Sequence, residues 1–196
     1  FKIRKYKYDL VINTTSSSSS GKLATLFTSS KYKLYGNEFE CNEHIEEQIH
    51  YGKAPVYLFR KFLELFDINS QDTYPNLNLK LSESEKSNGK TLLNNLAIDP
   101  SKKTIAFFTY ATGDKCYSYN WWANFYAVFY PKYKEKYNLI EILPIENISM
   151  LTNKLPSFYS KDVREITSLM HQCEIVLAAD SGMMHLSSAA LAPTIG

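Results

Sequence analysis

At 196 residues the chain can form one large domain or two small ones, and a hydrophobic content of 44% supports a real core. Lys and Arg total 22 against 20 Asp and Glu, so the net charge is only +2 and nucleic acid is not an expected partner. Cys41, Cys116 and Cys173 form no CxxC pair, which argues for reduced thiols in a cytosolic protein, and no apolar run approaches the ~18 residues of a membrane span.

No signal peptide is expected. The chain opens on Phe1 in a strand-like segment and stops at Ala192-Pro-Thr-Ile-Gly196, where a final strand begins, so it reads as an interior piece of a longer protein. The local basic clusters, Lys2-Ile-Arg4-Lys5-Tyr-Lys7 and Lys132-Tyr-Lys134-Glu-Lys136, read as solvated faces or edges.

Strand and helix patterns alternate along the chain. Tyr8–Asn13 is expected as a buried strand, Leu23–Phe27 as part of a short helix, and Lys31–Tyr35 as a second strand closed by Gly36-Asn37. Helical character runs from about Asn42 to Phe66, interrupted near Gly52 and Pro55. A polar loop spans Asp67 to Leu79, and Ser84–Leu96 forms a helix despite Gly89. From Lys103 the pattern sharpens. Thr104–Thr109 is a strand and Ser118–Lys136 a helix with Trp122, Tyr126, Phe129 and Tyr133 on one face, a core stripe rather than a cofactor box. Asn138–Leu143 is a strand stopped by Pro144. Val163, Ile166, Met170 and Cys173 mark the apolar stripe of a further helix, and Glu174–Ala179 is the next strand. Successive βα units of this kind imply parallel sheets flanked by helices. A boundary is expected near Asn95–Lys102, dividing the chain into regions 1–98 and 99–196.

The most informative stretch is Glu174-Ile-Val-Leu-Ala-Ala-Asp180-Ser181-Gly182-Met-Met-His185-Leu-Ser-Ser-Ala-Ala190. An apolar strand ends in a polar turn, and a helix rich in Ala and Ser begins at once. This order puts Asp180, Ser181, Gly182 and His185 at the carboxyl end of a parallel strand, where open α/β sheets bind ligands. Gly182 permits close backbone approach, and the free N–H groups of the helix present partial positive charge to a phosphate. Two plainer readings stand beside this one. Asp180 or Ser181 is a suitable N-cap for any helix, and His185 can be a core histidine bonded to a carbonyl.

A second rim loop, Tyr110-Ala-Thr112-Gly113-Asp-Lys115-Cys-Tyr117-Ser118, also joins a strand to a helix. Thr112 offers a hydroxyl, Gly113 a backbone N–H and Lys115 a mobile cation, a set suited to a diphosphate whose charge grows as it departs. Alone, the same loop is an ordinary surface turn with a solvated lysine. Thr14–Lys22 partly resembles a P-loop, but Ser16 and Leu23 occupy positions that require Gly and Ser or Thr, so an ATPase is not expected. That serine-rich loop can bond an acceptor sugar or lipid phosphate, or act as a flexible linker. No G-x-G-x-x-G follows a strand, and Tyr133-Lys-Glu-Lys136 has the wrong spacing for an epimerase pair. The four histidines show no metal-ligand spacing, and no cofactor is expected.

The run from Asp162 to Thr194, with its helix, apolar strand, Asp180-Ser-Gly-x-x-His185, small-residue helix and Pro193, resembles the signature of glycosyltransferase family 9. Those are heptosyltransferases that use ADP-heptose to build the lipopolysaccharide inner core. Lys115-x-Tyr117-Ser118-x-x-x-Trp122 is similar to that family's Lys-x-Trp-Pro-x-x-x-Trp, and Tyr8–Asn13 with the serine-rich loop and Ala24 resembles the latter half of its N-terminal domain. Tyr117 and Ser118 depart from the common Trp-Pro, and Gly113 stands where a second hydroxyl often occurs.

The resemblance implies an α/β, GT-B-like fold. A partial N-terminal, acceptor-side Rossmann-like domain with linker would occupy 1–98, and a nearly complete nucleotide-sugar-binding domain 99–196, with donor and acceptor meeting in a cleft. It implies that Thr112 and Lys115 contact the donor diphosphate, that Asp180, Ser181 and Gly182 hold donor sugar and phosphates, and that His185 braces the turn. Glu146 would sit where the family keeps an acid for the nucleoside ribose. The expected reaction is inverting and metal-independent, with a lipopolysaccharide core or lipid A-type acceptor. Its general base is an Asp in an N-terminal loop this chain does not contain. The expected location is the cytoplasm, with peripheral contact at the inner membrane. The alternative is a non-catalytic nucleotide-sugar or partner-binding module.

Overall fold

A computed structural model describes residues 5–14, 18–34, 53–70, 73–96 and 98–196. The chain divides into two compact units, Phe1–Pro75 and Asn76–Gly196. The division falls earlier than the expected 98/99. The reason is the helix over Glu83–Asn94, which packs within the second unit. An added Cβ on its Gly89 would lie 2.1 Å from the carbonyl oxygen of Ser168. Among the described residues, no helix is long and apolar enough to cross a membrane.

In the first unit, β1 (Lys7–Ile12) pairs in parallel with β2 (Ser29–Leu34), with Leu10 opposite Tyr32 and Ile12 opposite Leu34. Between them runs α1 (Ser19–Leu26), whose N-terminus is capped by Ser18 accepting from the Gly21 N–H. Helix α2 (Ala54–Glu64) starts with Pro55 in its first turn, where a missing N–H costs nothing. Its Phe62 and the following Phe66 meet Tyr32 edge-on, at 5.1 and 5.5 Å. Strand β1 is not the buried strand expected: Lys7, Tyr8 and Asp9 are exposed and the rest half-buried, since among the described residues its sheet has only one other strand. The expected Gly36-Asn37 stop and the helical stretch from Asn42 to Gly52 lie outside the described residues.

The second unit opens with α3 (Glu83–Asn94), set by a capping box in which Ser82 and Glu85 satisfy each other's backbone N–H groups. Then follow β3 (Lys103–Phe108), α4 (Tyr119–Tyr133), β4 (Tyr137–Ile142), β5 (Ser157–Phe158), α5 (Val163–Met170), β6 (Ile175–Ala178), α6 (Gly182–Ala189) and β7 (Thr194–Ile195). The five strands form one parallel sheet in the order β5-β4-β3-β6-β7.

Alternation along the strands sends side chains to two cores. Ala106, Phe108, Ile140, Ile142 and Val176 meet Ile166, Leu169 and Met170 on one face. Ile105, Phe107 and Leu139 meet Trp122, Met150 and Leu151 on the other. Trp122, Tyr126 and Phe129 of the expected α4 face belong to that second core, with Phe125 and Phe129 edge-on to Phe107, whereas Tyr133 is exposed. Val163, assigned to the apolar stripe of α5, is instead exposed at the helix start.

The strand order matters for function. From β3 the chain proceeds outward through β4 and β5, then returns to add β6 and β7 on the other side. Neighbouring strands β3 and β6 therefore send their connections in opposite directions, which opens a crevice at their carboxyl ends.

Candidate functional site

Both rim motifs leave the sheet at that switch point. Phe108 and Ala178 are register partners at the ends of β3 and β6. The Tyr110–Ser118 loop and the Ala179–Gly182 turn are therefore adjacent by construction. A cavity of about 800 Å³ opens there, lined by Thr112, Lys115, Glu146, Asp180, Ser181, Gly182 and His185 among others. Of the residues expected to hold the donor, only Gly113 is not in its wall. Gly113 has a φ of 63°, a left-handed conformation that suits glycine, and it shapes the short turn that delivers Lys115.

Lys115 Nζ donates to Asp180 Oδ2 at 2.6 Å. Both side chains remain well exposed, at 60%. The lysine beside it, by hydrogen bond and then by charge, holds the Asp180 carboxyl below its ordinary value, and His185 adds a smaller effect of the same sign. Asp180 is not the helix cap. That role falls to Ser181, whose side chain accepts from Met183 N–H at 3.3 Å. The Met184 N–H bonds the Ser181 carbonyl, and among the described residues no acceptor takes the Gly182 N–H at the positive end of α6. A Cβ at Gly182 would meet nothing within 4 Å, so the space beside its α-carbon is open.

His185 is exposed on the cavity wall rather than sunk in the core, and no hydrogen bond joins its ring to the turn. Glu146 is exposed on the Pro144–Asn147 turn after β4, closed by the Asn147 N–H on the Pro144 carbonyl at 2.9 Å. Apolar surface comes from Phe108, Leu143, Ile145, Val163 and Met183. The arrangement offers the ammoniums of Lys115 and Lys161, a helix-end amide, hydroxyls and carboxylates around an apolar floor. Such a surface can hold a flat ring, a polyol and a diphosphate at once.

The structure also shows wall residues that sequence reading passed over. Ser160 and Lys161 reach the cavity from the turn between β5 and α5. Their signal was the Asp162 cap, which accepts from Arg164 N–H at 2.7 Å, but the two-residue strand before it carries no alternation to read. Asp114, Lys115 and Asp180 further border a smaller cavity of about 330 Å³ walled by Tyr117, Trp121, Trp122 and Phe125. Ser118, where the resembling family commonly has Pro, caps α4 through a bond from Trp121 N–H at 3.2 Å.

No protein-family model matches the sequence, and no curated protein matches it. Solved structures do. A glycosyl transferase family 9 protein from Veillonella parvula DSM 2008 is similar with a TM-score of 0.61 and 14% identity, over 88% of this chain and 47% of that one. The E. coli ADP-heptose lps heptosyltransferase II gives 0.58 and 14%, over 98% and 63%. The E. coli heptosyltransferase WaaC with ADP gives 0.64 and 17%, also over 98% and 63%. The chain thus spans about half to five-eighths of the length of these proteins. At such identities the likeness establishes the fold: α/β, with parallel sheets flanked by helices, of the GT-B type seen in the heptosyltransferases.

Proposed function

We propose that the chain is part of a glycosyltransferase, with Asn76–Gly196 as its nucleotide-sugar-binding unit and Phe1–Pro75 belonging to the acceptor side. The observation that carries the reading is the meeting of Lys115 and the Gly182 amide at one cavity on the sheet's switch point. A cation and a helix N-terminus converging on one point are what a diphosphate requires. The exposed Lys115–Asp180 pair leaves room for it.

The donor in this proposal is ADP-heptose, supported by the ADP and ADP-heptose named for the E. coli structures of the same fold. Thr112, Lys115 and the Gly182 amide take the two phosphates. Glu146, across the cavity, accepts from ribose hydroxyls, and Asp180, Ser181 and His185 face the transferred sugar. An acceptor hydroxyl, from a lipopolysaccharide core sugar, attacks the anomeric carbon as the bond to the phosphate oxygen breaks. The acceptor's proton passes to a base that the matched motifs do not supply, and the configuration inverts. The negative charge that grows on the departing ADP is met by Lys115 and the end of α6, without a metal. The proposed setting is the cytoplasmic face of the inner membrane, where such an acceptor is presented.

Thermal melting of the full-length protein against nucleotide sugars tests the reading, because a ligand that binds only the folded state raises the melting temperature. Selective stabilisation by ADP-heptose over UDP- and GDP-sugars is the expected result. No stabilisation by any nucleotide sugar would overturn it.

A further inference from the structure

Glu141 lies on β4 with its side chain fully buried, 0% exposed, on the sheet face shared with Leu139 and Phe107. The surrounding core is apolar, and among the described residues no cation bonds the carboxylate. Three donors do. Oε1 accepts from the Thr109 hydroxyl at 2.6 Å and from Leu151 N–H at 3.4 Å, and Oε2 accepts from the Ser149 hydroxyl. A buried acid so far from solvent is costly unless each lone pair finds a donor. Its place one residue before the end of a core strand calls for a reason beyond packing.

The donors show the reason. Thr109, itself fully buried, is the residue between β3 and the loop that carries Thr112 and Lys115. Ser149 and Leu151 lie in the segment that follows Glu146, beyond the Pro144–Asn147 turn. That segment holds three residues in left-handed conformation, Asn147 (φ 56°), Thr152 (φ 54°) and Asn153 (φ 57°), a backbone that persists only when its surroundings over-determine it. Ser149 extends the restraint by accepting from Asn153 N–H at 2.8 Å. One carboxylate therefore clamps the roots of two opposite cavity walls.

We propose that Glu141 is a positioning residue: it sets the distance between the Thr112–Lys115 wall and the Glu146 wall, and so the fit of a nucleoside diphosphate. The inference rests on the reading of the cavity as a nucleotide-sugar site. It assigns a role to a residue that touches no ligand, acting through Thr109 on one side and Ser149 on the other.

The test uses ADP titration by calorimetry on the full-length protein, with thermal melting of each variant in the absence of ligand. Glu141→Leu should lower ADP affinity by about 10-fold, the order expected when one hydrogen bond to a charged group is lost. Glu141→Gln keeps the shape and can keep all three bonds, because the hydroxyls of Thr109 and Ser149 can turn, so it should restore near wild-type affinity. The triple variant Glu141→Leu, Thr109→Val, Ser149→Ala replaces the three side chains with apolar groups and leaves the Leu151 and Asn153 N–H groups without these acceptors. It should still fold, melting below wild type, while ADP binding stays weak. Wild-type ADP affinity in the triple variant, or in Glu141→Leu, would overturn the proposal and leave Glu141 a structural residue. Failure of the wild-type protein to bind ADP would instead strike the reading of the cavity on which the proposal stands.

Discussion

Lys115 Nζ and Asp180 Oδ2, 65 residues apart in sequence, lie 2.6 Å apart across the mouth of the cavity. The contact joins the loop after β3 to the turn after β6. Exposed pairs of this kind contribute only ~0–1 kcal/mol, because water competes for both charges. A diphosphate carrying more negative charge than one carboxylate can therefore take the lysine from Asp180.

That competition has a signature. Asp180→Asn frees Lys115 and removes a like charge from the phosphate site. ADP should bind about fivefold more tightly, from ~1 kcal/mol between unit charges about 4 Å apart in water, and the gain should shrink as salt is added. Calorimetric titration at two ionic strengths checks this. Weaker ADP binding in the variant would show that Asp180 is itself a nucleotide ligand.

Lys115→Ala separates binding from chemistry in the full-length protein. If the lysine meets charge that develops on departing ADP, the barrier should rise by ~2–4 kcal/mol, with kcat falling far more than KM rises. Steady-state kinetics with ADP-heptose and acceptor measures both. Unchanged turnover would remove Lys115 from the reaction.

Gly89 gives a prediction of stability with an unusual sign. In an exposed helix interior, Gly→Ala gains roughly 1 kcal/mol. Here the new methyl would sit 2.1 Å from the Ser168 carbonyl oxygen, which is backbone and cannot step aside. Gly89→Ala should lower stability by ~1–3 kcal/mol through overpacking at the junction of α3 and α5. Urea denaturation gives the number.

The same junction responds to acid. Arg164 donates to both oxygens of Glu85, and with Ser82 it pulls the Glu85 carboxyl from 4.5 down to about 2. A depressed carboxylate stabilises the fold above its unfolded value and loses that contribution as pH falls through about 2. Melting temperature should therefore drop as pH is lowered from about 4.5 toward 2. Glu85→Gln should flatten that part of the profile and, above pH 6, where Glu85 is ionised folded and unfolded, lower melting by an amount that does not change with pH.

The rim of the site was legible because it is local. A strand, a turn with Asp180-Ser-Gly182 and a helix follow one another without gaps, and Thr112 and Lys115 sit in the matching turn after β3. Their meeting needed only the parallel sheet that βα alternation implies. What escaped was set by tertiary structure. Glu141 reads in sequence as a polar residue in a strand, and only the second apolar face of the sheet shows that it is buried. The Asn76–Leu96 segment reads as a linker with a helix, whereas contact at Gly89 joins it to the second unit. Strand β5 has two residues, too few for any periodicity. Gly113 was correctly placed in the loop, but its φ of 63° bends the chain rather than lining the cavity.

The most direct test is the structure of the full-length protein with ADP bound. The account predicts diphosphate oxygens within about 3 Å of Lys115 Nζ and the Gly182 amide nitrogen, with the lysine withdrawn from Asp180. ADP seated away from this cavity, with the Lys115–Asp180 pair intact, would contradict it.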